Sequence, residues 1–231
     1  MDYSEITVVL PTLNERDTIG KLIHLITEEY KGIKIIVADD NSKDGTIGIV
    51  QRISSSNKNV RLLERAGKKR GLTASVIDGI LASKTKYVVV MDADMQHPYQ
   101  AIKEIKKKFE EGYDVVVVYR SVITNWPKYR MLISKITILI GYAILALRRR
   151  PRCADIFSGY FGVKRDLFVK VYSANKHRFV GEGYKVLFDF LKCLGKETKI
   201  AEVPSPFYPR KFGSSKAGIK QGIALFKSFF S

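Results

Sequence analysis

Val88-Val89-Val90-Met91-Asp92-Ala93-Asp94-Met95-Gln96-His97 is the stretch whose reading decides the fold. Four apolar residues make a buried strand that breaks into Asp-Ala-Asp. A strand with no polar face needs cover on both sides, as in a parallel sheet between layers of helices. Its two carboxylates then stand at the strand's carboxyl end, the rim where open α/β sheets bind ligands. Asp92 and Asp94 are two apart, so an extended chain points both the same way. Two close carboxylates repel unless a proton or cation joins them. Oxygen ligands suit Mg²⁺ or Mn²⁺, and Mg²⁺ is usually held by one or two carboxylates together with substrate phosphates. The alternative is a solvated loop with two capping aspartates.

Upstream, the same alternation repeats. Residues 6–10 read as a first strand, ended by Pro11, and Thr12-Leu13-Asn14-Glu15 follows as a loop. Asn14 or Asp17 can cap the next helix, where Ile19, Leu22, Ile23 and Ile26 recur at helical spacing. A second strand, 34–38, runs into Asp39-Asp40-Asn41-Ser42-Lys43-Asp44-Gly45-Thr46, and a helix continues to about Ile53. A short strand over 60–63 leads to Lys68-Lys69-Arg70-Gly71, a basic turn into a helix ending near Lys84. That turn is either a phosphate seat at a helix N-terminus or a solvated basic loop. Downstream of the 86–91 strand, Pro98 suits the first turn of a helix reaching Glu111, and 114–119 is a strand made almost wholly of valine. Strand and helix alternating in this way predict a doubly wound, mostly parallel sheet with helices on both faces. A nucleotide lying across the strand ends at Pro11, Asp39 and Asp92 follows from that topology.

The chain has 231 residues, enough for one domain with a proper core. Hydrophobic residues at 45% and charged residues at 27% fit a soluble globular class. A net charge of +17 calls for an anionic partner: nucleic acid, a membrane surface or phosphorylated substrates. Two cysteines, Cys153 and Cys193, suggest a reducing compartment rather than a disulfide framework. The acidic start Met1-Asp2-Tyr3-Ser4-Glu5 runs straight into a strand and does not read as a signal peptide.

The charge is not evenly spread. From Val115 to Ala154 there are eight Lys and Arg residues and no acid, and after Glu202 there are five and again no acid. The first of these stretches contains an apolar segment, 131–147, followed by Arg148-Arg149-Arg150-Pro151-Arg152. Its uncharged run, Ile136 to Leu147, is 12 residues, too short to span a bilayer. It reads either as a core helix or as a helix lying in a membrane interface with cations at the headgroups. In the second stretch, Ile219, Ile223, Phe226 and Phe230 share one face if helical, with Lys216, Lys220 and Lys227 along its edge. Between the two lie a mixed region, 155–163, helical patterns near 165–173 and 183–194, and a late strand over 199–204.

Taken together, these residues resemble the family 2 glycosyltransferases, and most closely the polyprenyl-phosphate (dolichol-phosphate) mannose synthases. Pro11-Thr12-Leu13-Asn14-Glu15 is similar to that family's Pro-x-x-Asn-Glu loop, and Asp39-Asp40-Asn41-Ser42 with Asp44-Gly45-Thr46 to its Asp-Asp-x-Ser-x-Asp-Gly-Thr. Asp92-Ala93-Asp94-Met95-Gln96-His97-Pro98 resembles its metal loop. Asp155 with Ser158-Gly159, Glu202-Val203-Pro204, and Arg210 with Gly213 and Ser215-Lys216 match its later motifs in order. The resemblance implies a GT-A fold, a nucleotide-sugar donor, Mg²⁺ or Mn²⁺, and a lipid-phosphate acceptor. It implies that Pro11, Leu13, Glu15, Ala38 and Asp40 surround the nucleoside. Asp92, Ala93, Asp94 and Gln96 then face the metal and the donor diphosphate, with Asp92, Asp94 and Gln96 as metal ligands. Arg210 and Lys216 close over phosphates, so Asp92, Asp94 and Arg210 carry catalysis. Arg120, Arg130 and Ser134 face the acceptor phosphate. Leu13 stands where an aromatic is common, and Val118-Tyr119-Arg120 replaces a Gly-Ser-Arg turn. The expected organisation is one catalytic domain, with 1–119 as the nucleotide-binding half and 120–231 facing acceptor and membrane. Its expected place is the cytoplasmic face of the cell membrane, as a peripheral protein or as a catalytic domain shortened from a membrane protein.

Read this way, the reaction transfers a sugar, mannose from GDP-mannose first and glucose from UDP-glucose as the alternative, to a polyprenyl phosphate. A phosphate monoester is already ionised at neutral pH, its second pKa being about 6, so no strong general base is required. Two other classes compete. A nucleic-acid-binding protein would use the net charge, but the basic residues lie beside apolar helical stretches and no nucleic-acid motif is present. A catalytically idle membrane adaptor would have no use for Asp92, Asp94 and Gln96.

Overall fold

The computed structural model describes residues 2–68, 70–123, 128–183, 185–209 and 219–230. The first half alternates strand and helix: β1 (Ile6–Thr12), α1 (Arg16–Glu29), β2 (Lys34–Asp39), α2 (Thr46–Ser56), β3 (Val60–Glu64), α3 (Leu72–Ala82), β4 (Tyr87–Val90), α4 (Ala101–Glu110) and β5 (Val115–Ile123). The second half is α5 (Lys128–Leu147), β6 (Phe161–Lys164), α6 (Arg165–Ala174), α7 (Val186–Leu191), β7 (Ile200–Phe207) and α8 (Ile219–Phe230). The strands form one seven-stranded sheet in the order β3-β2-β1-β4-β6-β5-β7. All pairings are parallel except those of β6, which runs antiparallel between β4 and β5. This is the doubly wound GT-A arrangement the sequence implies, with β6 as the strand that the mixed 155–163 region concealed. Four residues are too few for a period to register, and Gly162 interrupts them.

Alternation along each strand divides the core. Val8, Leu10, Ile35, Val37, Val89, Val116 and Val118 meet α1, α2 and α4 on one face. Val9, Ile36, Val88, Val90, Val115 and Val117 meet α3, α6 and α7 on the other. Side chains in a strand point to opposite faces in turn, so uniform valine runs serve both layers. The approach of α3 to β1 depends on Gly79, where an added Cβ would come within 2.4 Å of a Val9 methyl.

β1 extends past its expected end. Pro11 lies inside the strand, in register with Ala38. The Val9 carbonyl faces β4 and accepts from the Met91 N–H, whereas the Thr12 carbonyl faces β2 and accepts from the Asp40 N–H. Pro11, two residues after Val9, therefore turns its nitrogen toward β4 beyond the last paired residue, where no ladder bond is lost.

α5 and α8 cover the second core layer with one face each. On α5, an added Cβ at Gly141 would meet Ile156, Phe157 and Phe188, and Leu145 is fully buried. On α8, Phe229 packs against the same Phe157 and Phe188 rings. Ser228 seats α8 in a buried ion pair: its hydroxyl donates to Asp189, the Lys192 ammonium donates to its carbonyl, and Lys192 and Asp189 are 3.1 Å apart. Burial raises the Asp189 carboxyl and lowers the Lys192 ammonium, each resisted by the other's charge. The 131–152 stretch is thus part core helix and part open face. Leu139 is 69% exposed, Leu147 85%, Ile223 53% and Phe226 64%. No helix among the described residues is long and apolar enough to cross a membrane.

Gly79→Ala is expected to lower unfolding free energy by about 1–2 kcal/mol in urea titrations. The overpacking cost against a strand-fixed Val9 exceeds the roughly 1 kcal/mol that alanine gains in a helix.

Candidate active site

β1 lies between β2 and β4, so the chain's winding reverses there, and the crevice at the carboxyl ends of these strands is the natural binding site. Pro11, Ala38, Asp40 and the Asp92–Gln96 loop all come to this edge. Because β6 is antiparallel, its entering loop, 155–160, also reaches this edge, as does Arg120 in the distal half of β5.

The Asp39–Thr46 loop is built from within. Asp39, fully buried, accepts from the Thr12 hydroxyl at 2.9 Å, the Ser42 N–H at 2.8 Å and the Ser42 hydroxyl at 2.7 Å. The same loop caps α1, a task the sequence assigned to Asn14 or Asp17. The Glu15 N–H donates to Thr46 Oγ1 at 2.9 Å, and the Arg16 N–H donates to Asp44 Oδ2 at 3.0 Å. Asn14, in the left-handed region at φ 53°, accepts from the Lys43 N–H and donates its own N–H to Ser42 Oγ. Burial opposes ionisation of Asp44, but the bonds from Thr46 and Arg16 outweigh it and hold the carboxyl below its usual range. A cap from a distant loop is invisible to a local sequence rule.

Asp40 is committed as well. It accepts from the Gly71 N–H at 2.9 Å and from the guanidinium of Arg65, a buried residue that also bonds Asp78 at 2.9 Å. A nucleoside contact by Asp40 would share a carboxylate already held in place. This wiring also disposes of the phosphate seat at α3. The Thr73 and Ala74 N–H groups donate to the carbonyls of Gly183 and Gly181, and an added Cβ at Gly71 would come within 2.2 Å of the Gly181 oxygen. The helix end is closed by backbone, so no anion sits on those amides. Arg65 gave no sequence signal, being one of forty Lys and Arg residues.

After Val90 the chain leaves the extended conformation, so Asp92 and Asp94 do not simply share a strand face. Met95 adopts φ 59°, a conformation uncommon for a side-chain-bearing residue. The turn lets Asp94 Oδ1 accept from the Gln96 N–H at 3.0 Å. Asp94 is buried, and Asp92 is half-buried against Gly159, where an added Cβ would stand 3.0 Å from Asp92 Oδ2. Glycine there keeps the space beside the carboxylate open. Gln96 fastens the loop to the end of β7: its Nε2 donates to the Tyr208 carbonyl and its carbonyl accepts from the Tyr208 N–H, both at 2.9 Å. No cluster of three His, Cys, Asp or Glu side chains suited to a metal occurs among the described residues. Two carboxylates and an amide oxygen fit a hard cation that completes its shell with ligand phosphates, and they do not fit zinc.

Arg120 points back into the site. Its Nε donates to Asp155 Oδ2 at 2.8 Å, with both side chains largely buried, and its guanidinium lies over the Phe207 ring. Ser134 is half-buried on α5. Leu13 and Glu15 are half-buried beside Pro11. Arg130 falls within α5, but its side chain is outside the described residues, as are Arg210 and Lys216.

His97 is enclosed by the Tyr160 and Phe207 rings, and its Nδ1 has no hydrogen-bond partner among the described residues. Burial first, with Arg120 adding to it, outweighs the pull of Asp94 and Asp155 and pushes its pKa down to about 4, so the ring is neutral at pH 7. Lys185 also belongs to this site. Its Nζ donates to the Phe157 carbonyl at 3.2 Å, and burial first, then Arg120, pushes it down to about 8 against the pull of Asp155 and Asp92. Lys185 was missed because nothing in Gly181-Glu182-Gly183-Tyr184-Lys185 marks it.

The architecture, with carboxylates at the strand ends, defines an α/β protein of the GT-A type. The glycosyl transferase family 2 model matches residues 7–172, and the chain belongs to that family. It is 34% identical to a dolichol-phosphate mannosyltransferase of Pyrococcus furiosus, over 92% of this chain and 59% of that protein. It is 32% identical to a protein of the same name from Mycosarcoma maydis, over 96% of this chain and 75% of that one. The chain thus spans somewhat over half the length of the archaeal relative. Among solved structures, glucosyl-3-phosphoglycerate synthase of Mycobacterium tuberculosis with Mn²⁺, uridine diphosphate and glucosyl-3-phosphoglycerate has a TM-score of 0.63 at 22% identity, covering 90% of this chain and 72% of that one. The same enzyme with uridine diphosphate alone gives 0.65 at 20%, covering 97% and 80%. At these identities the likeness is one of fold.

His97 yields a pH prediction. Its folded pKa of about 4 lies below the ordinary 6.5, so between these values the unfolded chain binds a proton that the folded chain does not. Stability therefore falls as pH drops through this window, by on the order of 3 kcal/mol in full. Urea titrations in EDTA at stepped pH are expected to show a shallower loss for His97→Phe than for the parent. Parallel curves would place the proton elsewhere.

Proposed function

We propose that the chain transfers a sugar, mannose from GDP-mannose in the first instance, from a nucleotide to polyprenyl (dolichyl) phosphate at a membrane surface. One observation carries the reading: the paired carboxylates at the end of β4 share a rim with Arg120, while α5, which follows β5, exposes an apolar row. The names of the similar archaeal and fungal proteins support it. In this reading residues 1–119 hold the donor, and 120–231 face the acceptor and the lipid.

Pro11, Leu13, Glu15, Ala38 and Asp40 line the nucleoside end. Asp92, Asp94 and Gln96 hold Mg²⁺ or Mn²⁺ against the donor diphosphate. The metal's contribution when bound is Lewis-acid neutralisation of charge on the leaving diphosphate. Arg210 and Lys216 lie on the segment that follows Tyr208, and Gln96 anchors Tyr208 directly. They would bring fixed cations over the same phosphates. Arg120, aimed by Asp155, receives the acceptor phosphate together with Arg130 and Ser134. The planar fork of arginine matches a phosphate's oxygens. An acceptor oxygen attacks the anomeric carbon as the bond to the diphosphate breaks on the opposite side, so the configuration inverts. Neutral His97 adds no charge near Arg120.

The buried faces of α5 and α8 pack on the same Phe157–Phe188 pair, so the two helices are neighbours over one core layer. Lying in the interface they would bury leucine and phenylalanine among acyl chains while Arg148, Arg149 and Arg152 meet anionic headgroups. The cytoplasmic membrane face, with its anionic lipids, is the surface proposed for this contact.

Calorimetry with GDP-mannose, UDP-glucose and Mn²⁺ is expected to show donor binding that EDTA abolishes and that Asp94→Ala weakens about tenfold or more, the scale of losing one charged contact. Undiminished affinity in both cases would remove the metal role, and tighter UDP-glucose binding would change the sugar. Flotation with liposomes is expected to rise with anionic lipid, weaken in salt and reverse in carbonate. Resistance to carbonate would mean insertion, and absence of binding would return the open rows to another partner.

A further inference from the structure

The geometry points to Lys185 as a phosphate-contacting residue, set between the Asp92 carboxylate and the Arg120–Asp155 pair to meet the phosphate monoester that attacks. This rests on the sugar-transfer reading. Three groups converge on one loop. Asp155 holds Arg120 at 2.8 Å, the Phe157 carbonyl accepts from Lys185 Nζ at 3.2 Å, and Gly159 borders Asp92. The loop therefore fixes, within five residues, the metal-side carboxylate, the acceptor-side arginine and a lysine whose backbone leads into a fully buried segment, Val186 to Leu191. The Phe157 ring lies 5.3 Å from the ammonium, which orients it from the side.

Charge gives the reason for a ligand. Arg120 is close enough to disfavour the charge of Lys185, which Asp155 and Asp92 favour. Asp155 and Asp92 both oppose the two cations, and with Asp92 committed to a donor-side cation a phosphate dianion takes up its share of the balance. The position suits the attacking phosphate because it lies between the carboxylates that face the donor and the arginine that faces the acceptor. A compact ammonium supplies point charge where Arg120 supplies direction. In the step itself one acceptor oxygen bonds to the anomeric carbon, the bond from that carbon to the diphosphate oxygen breaks, and no proton transfer by Lys185 is required.

The test uses the full chain and compares Lys185→Met, Lys185→Gln and Lys185→Arg with the parent. Lys185→Met and Lys185→Gln are expected to lower kcat/KM for polyprenyl phosphate at least tenfold and to leave the Mn²⁺-dependent donor Kd within twofold. Lys185→Arg is expected to recover most of the loss, which a packing role for the stem alone would not require. Inorganic phosphate is expected to inhibit the parent competitively against the acceptor and the methionine variant much less. Unchanged acceptor kinetics in folded variants, or parallel loss of donor binding, overturns the assignment. Failure of both neutral variants to fold assigns Lys185 to structure and likewise overturns it. If the parent transfers no sugar to polyprenyl phosphate, the functional reading fails instead. Lys185 is then judged by inorganic phosphate binding alone, and equal affinity in parent and methionine variant rejects it.

Discussion

The ion pair between Arg120 and Asp155 holds together the end of the sheet where the proposed chemistry occurs. It joins β5 to the loop that enters β6, and that loop also meets Asp92 and Lys185. Ser158 donates its hydroxyl to the Val118 carbonyl at 2.7 Å, Gly159 lies against Asp92, and Phe157 holds Lys185. With both partners largely buried, removing either one strands a charge, which typically costs about 3–5 kcal/mol. The antiparallel β6 is what makes this possible. A parallel strand in its place would begin at the opposite edge and carry its entering loop, 155–160, away from the carboxyl ends.

A second constraint governs the nucleotide side. Acidic residues at the end of β2 look like ligands in a list of motifs, yet Asp39 and Asp44 satisfy backbone and hydroxyl donors of their own neighbourhood. They buttress rather than bind, fixing the crevice walls and the start of α1. Asp40 is held by Arg65 and Gly71. A preorganised site of this kind spends little on ordering when a ligand arrives.

The open rows on α5 and α8 follow from the same economy of packing. One face of each helix is used to close the second core layer around Phe157 and Phe188, and the other face is left apolar. A water-soluble helix would place polar residues there. The buried Asp189–Lys192 pair seats Ser228 and so determines which face of α8 turns outward.

The sequence by itself determined the strand–helix alternation, because valine runs and helical spacing are local properties that burial on both faces imposes on each segment. It also located Asp92, Asp94 and Gln96 at a strand end, since a run of valines that stops at Asp-Ala-Asp ends the strand there. Arg120 and Asp155 stood out within motifs, but not as a pair. Only the tertiary structure decided that they bond, that Thr46 and Asp44 cap α1, that backbone carbonyls close the start of α3, and that Lys185 joins the site. Each of these contacts links residues far apart in the chain, and no local pattern encodes which distant donor will reach a given carboxylate. The four-residue β6 was hidden for the same reason: its strand character comes from the two neighbours that pair with it, not from its own residues.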